Sequence, residues 1–274
     1  MKKFAILFFV FLLAGMIAQS QRIYIRGGLG AAVSTSASYV NEYSYGDPYG
    51  SISTVTSKKR GIGTGLPFMI AAGYNLTDNF CLELGIDYFY GFSIKNSAVY
   101  LPYVSEVKYY GQMLSIVPAF VMSLPLDKFK PYARLGLKLG ILNRVISEGH
   151  RVTGSPEKSA YMFEVNDKAR EYGGIAIGVQ AAMGTEFLLS KLISLFCEIQ
   201  VDGISYAPKH GKYVEYLENG VDVLDERTVK KNKWNYLKEV DHTKTIPDDQ
   251  PDEHNKVNEH FSNVGLVIGV KITL

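Results

Sequence analysis

Residues 80–92 read FCLELGIDYFYGF, and the even and odd positions differ in kind. Phe80, Leu82, Leu84, Ile86, Tyr88, Tyr90 and Phe92 are apolar or aromatic, whereas Cys81, Glu83, Gly85, Asp87 and Gly91 are small or charged. Phe89 is the exception on the second face. Alternation of period two over this length predicts a strand with two unlike faces. The pattern recurs in residues 22–33, where Ile23, Ile25, Leu29, Ala31 and Val33 oppose Arg22, Tyr24, Arg26, Gly28 and Gly30. Residues 132–141 set Ala133, Leu135, Leu137, Leu139 and Ile141 against Tyr132, Arg134, Gly136, Lys138 and Gly140. Residues 174–187 set Ile175, Ile177, Val179, Ala181, Met183 and Phe187 against Gly174, Gly178, Gln180, Gly184 and Glu186. The last such run sets Leu266, Ile268, Val270, Ile272 and Leu274 against Gly265, Gly269, Lys271 and Thr273. Less regular runs at 67–74, 109–123 (apolar on both faces) and 195–205 bring the total to eight strands.

The connections alternate in length. Residues 75–79, 124–130 and 188–192 are short turns, whereas 34–66, 95–108, 143–172 and 207–259 are long. Short turns at one end and long loops at the other are the signature of an antiparallel membrane barrel. The expected fold is therefore all-β, an eight-stranded antiparallel transmembrane β-barrel with long extracellular loops. A polar face made of charges set among glycines suits a crowded interior, so the apolar face is assigned to lipid. Tyr88, Tyr90 and Phe92 at the loop end and Tyr74 near a short turn then suit aromatic girdles. The inward acids are Glu83, Asp87, Glu186, Glu198 and Asp202; the inward bases are Arg22, Arg26, Arg134, Lys138 and Lys271. Eight strands leave a lumen just wide enough for side chains. A balanced charge set in so narrow a space is expected to pair, because an unpaired buried charge is costly. The same register turns Cys81 inward and Cys197 outward, which argues against a disulfide between them.

The N-terminus carries Lys2 and Lys3, an apolar run from Phe4 onward, and small residues at Ala18 and Ser20. This reads as an export signal over residues 1–20, with residues 21–274 as the barrel. Without the two signal lysines, 29 basic residues fall to 27 against 27 acidic ones. A neutral chain lacks the clustered basic surface that nucleic acid requires. Tyr (19) and Phe (14) far outnumber Trp (1), and two cysteines are too few for a disulfide scaffold.

GYNLTDNFCLELGIDYFYG (residues 73–91), KPYARLGLKLG (130–140) and the closing VGLVIGVKITL resemble an outer-membrane β-barrel family common in Bacteroidetes. Its members are labelled porin-family or PorT-like and share architecture with OmpX- and OmpA-type barrels. The resemblance implies the Gram-negative outer membrane as location. It also implies outer-membrane lipid and lipopolysaccharide as surroundings and the barrel-assembly machinery as a partner. That machinery would read the alternating C-terminal strand, although Leu274 stands where an aromatic is usual. A surface or secretion partner is the further possibility the family suggests; no cofactor is implied.

The segment 207–259 is the least ordinary. Asn219-Gly220 between residues 212–218 and 221–225 is a type I′ hairpin signal, placed above the membrane because neither arm has an unbroken apolar face. A ten-strand barrel is the architectural alternative. Lys230, Lys231 and Lys233 beside Trp234, followed by Asp248, Asp249, Asp252 and Glu253, read either as a recognition surface or as a solvated loop. His242, His254 and His260 lie among carboxylates without the spacing of a metal motif. His260-Phe261-Ser262-Asn263 is similar to the motif of outer-membrane lipid A deacylases, with Ser262 as nucleophile and His260 as base, but no acidic residue follows. The expected function is non-catalytic. It is a barrel with a salt-bridged, largely closed lumen and a structural or surface-interaction role through its loops. The alternatives are a small porin or hydrophobic-solute channel and, third, a hydrolase.

Overall fold

The computed structural model describes residues 23–35, 38–45, 52–100, 103–124, 126, 128–154, 162–241, 243 and 245–274, with backbone alone for 38–45, 52–60 and 97–100. The export signal and Arg22 lie outside them. Eight antiparallel strands form the wall: β1 (Ile23–Ser34), β2 (Gly65–Asn75), β3 (Phe80–Gly91), β4 (Tyr103–Ser123), β5 (Phe129–Thr153), β6 (Ala176–Leu188), β7 (Ile193–Tyr206) and β8 (Asn263–Thr273). Each pairs with the next, and β8 pairs back onto β1 from Ser34↔Asn263 to Tyr24↔Thr273. The barrel is closed, so the wall has no free edge for another chain to extend. No helix among the described residues is long and apolar enough to cross a membrane, which says nothing of strands.

Burial follows the alternation. Along β3 every odd residue is buried and every even one exposed. The whole circumference carries exposed aliphatics, among them Leu29, Ile70, Leu84, Leu135, Ile177, Ile199 and Ile268, while at that height Arg26, Glu83, Asp87, Arg134, Lys138, Glu198 and Asp202 are buried inward. That is a soluble protein turned inside out. Aromatics mark both margins of the apolar band. Phe68, Tyr88, Tyr90 and Phe92 are exposed toward the long-loop end. Toward the short turns, Phe80 stacks on Phe120 with ring centroids 5.5 Å apart, Phe129 stands opposite Phe187, and Tyr74 is half-buried. Ten residues separate Phe80 from Tyr90, about 33 Å of strand and about 25 Å of height at a typical tilt of ~40°. That is the height of a membrane barrel's apolar band.

The short turns are held locally. The Phe80 carbonyl accepts from Leu76 and Thr77, and Ser190 Oγ accepts the amides of Leu192 and Ile193. On the inner face, missing side chains make room for large ones. A Cβ on Gly269 would collide with the Gly27 carbonyl and with the Phe196 ring, and one on Gly73 with Tyr24.

The long connections differ from expectation. Residues 95–108 and 143–172 are largely strand, because β4 and β5 run on past the barrel as one ladder from Tyr103↔Thr153 down to Leu114↔Leu142. There Ile141 bulges, shifting the parity of β5 by one residue, so that Ile141 and Leu142 are both exposed and Asn143 turns inward. Above the bulge β5 leaves β6 and pairs with Phe163–Tyr172. That strand pairs with His210–Glu218, which pairs with Lys233–Leu237, which pairs in parallel with Asp252–Asn255. On the other side Ile94–Tyr100 extends β4. Asn219 and Gly220 have φ of 49° and 80° and form the expected tight hairpin, outside the wall. The wall has eight strands, not ten.

Candidate functional site in the lumen and at its mouth

The inward charges meet in layers. Nearest the short turns, Lys271 Nζ donates to Glu186 Oε1 and Oε2 at 2.8 and 3.1 Å and sits 3.9 Å over the Tyr24 ring. Tyr24 in turn donates its hydroxyl to Glu83 at 2.7 Å. In the next layer Arg26 reaches Glu83 at 3.6 Å and Glu198 at 2.5 Å, with its guanidinium 4.0 Å over the Phe196 ring. Glu198 is shared: Arg134 binds its other oxygen at 2.7 Å and Tyr132 donates to it at 2.7 Å. Arg134 also donates to Gln180 Oε1 at 2.6 Å, and Gln180 passes the chain on to Asp87 at 2.6 Å. Highest, Lys138 lies 2.6 Å from Asp202 and 3.4 Å from Asp87, with Gln200 donating to Asp202. Glu83, Asp87, Arg134, Lys138, Glu186, Glu198, Asp202, Arg26 and Lys271 are thus all buried and brought together. Among the described residues five carboxylates face four cations.

Sequence reading of charges alone passed over the neutral members. Gln180, Gln200, Tyr24 and Tyr132 share the inward parity of the charges, which was the available signal. Above the charges lies an apolar layer: Phe89, Met113, Val145, Ile204 and Tyr206 around Phe261. Phe261 meets Phe89 and Tyr206 edge to face, each with centroids 6.2 Å apart, and its ring fills the space left by Gly111. Phe89, the exception in the alternation, belongs to this layer.

Ser262 lies beside that layer. Its hydroxyl accepts the Ile204 amide at 3.1 Å and donates to the Ile204 carbonyl at 3.2 Å, so it completes a ladder. His260 is exposed opposite Ser205. Cys81 is buried inward and Cys197 half-buried on the outer face, both as free thiols. Among the described residues no group of three or more His, Cys, Asp or Glu could hold a metal; His242 lies outside them.

At the mouth, the inner side of the upper sheet carries a cleft of about 510 Å³. Trp234 lies over Gly211 and stacks on His254 (5.7 Å), Tyr213 meets the indole edge on (5.4 Å), and Arg227 sits 3.6 Å over Tyr216. Lys230, Lys231, Asp248 and Asp252 line its rim, so the basic and acidic patches of the sequence do converge. Glu171 accepts a hydrogen bond from the Tyr236 hydroxyl at 2.8 Å, yet burial, and beyond it the charge of Glu259, raises its pKa. Burial raises Glu259 likewise. A carboxyl that binds its proton more tightly folded than unfolded adds stability as pH falls through its folded pKa, and subtracts it above. The mouth is therefore expected to tighten as pH falls from the alkaline side toward the ordinary carboxylate range. Glu171→Gln is expected to tighten it at pH 8 and flatten the response, read as amide-exchange protection of residues 163–172. An unchanged pH response in that variant would exclude Glu171 as its source.

No family model matches the chain, and no curated protein matches it significantly.

Proposed function

We propose that this chain is an exported outer-membrane β-barrel, of the porin-family or PorT-like type, whose lumen is closed and whose role is structural or interactive at the cell surface. The observation that carries this is the lumen itself: cross-linked layers of buried charge under an apolar layer, inside a wall whose outer face is apolar over about 25 Å. A conducting pore keeps a water-filled path, whereas an eight-stranded lumen is filled by side chains. The upper sheet, with its aromatic and charged cleft, is the surface offered to partners. The enclosing lipid, including lipopolysaccharide, and the barrel-assembly machinery are the partners this location implies.

The test is conductance of the refolded, heat-modifiable protein in a planar bilayer. A folded barrel is expected to be silent. Reproducible single-channel steps would make it a small porin or solute channel instead.

A further inference from the structure

Where β5 parts from β6, the outer surface carries a notch of about 400 Å³ whose lining includes Ile141, Leu142, Arg144, Arg170, Tyr172 and Lys212, and no carboxylate. Its height follows from register. Tyr90, Gln112, Arg144, Tyr172 and His210 are successive partners around the outer face. The row beneath, Tyr88, Leu114 and Leu142, is apolar; the row above sets Arg170 directly opposite Lys212. The notch thus straddles the upper margin of the apolar band.

Like charges directly opposed across strands destabilise a sheet unless something lies between them. Of the nearby carboxylates, Glu148 is paired with Lys168 at 2.8 Å and Asp167 with Arg151 at 2.7 Å, while Glu215 stands opposite Lys168, outside the notch. Among the described residues Lys212 finds only the Tyr172 ring, 6.0 Å away, and the buried Arg170 Nε has no hydrogen-bond partner. Two guanidinium forks and an ammonium around one hollow are the donor set that phosphate oxygens accept from. We propose that this notch seats the phosphate of an anionic lipid headgroup, its acyl chain descending along Leu142 and Ile141. The apolar row beneath the cations selects a lipid over a free anion.

The inference rests on the membrane-spanning reading, so the first arm tests that alone. The full-length refolded barrel should resist alkaline extraction from phosphatidylcholine vesicles; failure overturns that reading and this proposal with it. The second arm titrates the barrel in neutral detergent with dioleoyl phosphatidate, dioleoyl phosphatidylcholine or inorganic phosphate, followed by native mass spectrometry. One phosphatidate should bind per barrel, in preference to phosphatidylcholine and undisplaced by a tenfold excess of inorganic phosphate. Arg170→Gln and Lys212→Gln should each weaken binding by about tenfold, the effect of losing one charge-assisted contact. Without lipid, Lys212→Gln should melt no lower than the parent, since it removes a repulsion. Unchanged binding in these variants, equal binding of phosphatidylcholine, or displacement by the tenfold excess of inorganic phosphate overturns the proposal. Should Arg170→Gln fail to fold, Lys212→Gln and the exposed Arg144→Gln decide it alone.

Discussion

Replacing Glu198 by alanine is expected to destabilise the barrel by about 3–5 kcal/mol, the cost of stranding a buried charge. Glu198 joins Arg26, Arg134 and Tyr132, and among the described residues its loss leaves Arg134 with the amide oxygens of Gln180 and Gln200. Arg26 keeps Glu83 at 3.6 Å, a longer contact. The measurement is a urea titration of folding into phospholipid vesicles, read by heat-modifiable mobility. The double variant Arg134→Gln with Glu198→Gln removes one charge of each sign and leaves Arg26 to Glu83. It is expected to recover most of the loss, because deleting a whole buried pair costs far less than breaking it. A loss below about 1 kcal/mol in the single variant is the value for a solvated pair. It would mean that water already reaches Glu198, and the closed-lumen reading would fall with it.

That network was legible because a strand's period of two leaves no freedom about which residues share a face. Once Ile86 and Leu84 are assigned outward, Glu83 and Asp87 are inward, and the same holds for Arg134 and Lys138 on β5. The upper sheet was not legible for the same reason reversed. In Phe163–Tyr172, Glu164, Asn166, Lys168 and Arg170 alternate with Val165, Asp167, Ala169 and Glu171, so neither face is apolar and the run reads as a loop. Ladder hydrogen bonds to β5 and to His210–Glu218 hold it, and those are made by backbone irrespective of side chain. The bulge at Ile141 hid the rest of β5. It puts two exposed apolar residues in succession, which ends the alternation while the strand continues to Thr153. The basic notch was invisible because Arg144, Arg170 and Lys212 come from three segments that look like separate loops until their register is known.

Phe261→Ala is expected to cost about 3–5 kcal/mol, the range for truncating a buried phenylalanine, yet to leave the barrel electrically silent. The ring is 1% exposed and has three supports: Phe89, Tyr206 and the empty face of Gly111. Gly111 has no side chain to move into the void, so the cavity persists and opens toward the mouth. Water entering there meets Lys138 with Asp87 and Asp202, and below them Arg134 with Gln180 and Glu198, layers that on the proposed reading still block the path. The closed-lumen proposal therefore has two independent seals, one apolar and one ionic. The urea titration used for Glu198 reads the stability loss, and planar-bilayer recording reads the silence. A stable Phe261→Ala barrel that conducts would show that the charged layers are permeable and that Phe261 is the gate. The molecule would then be a channel held shut by one ring.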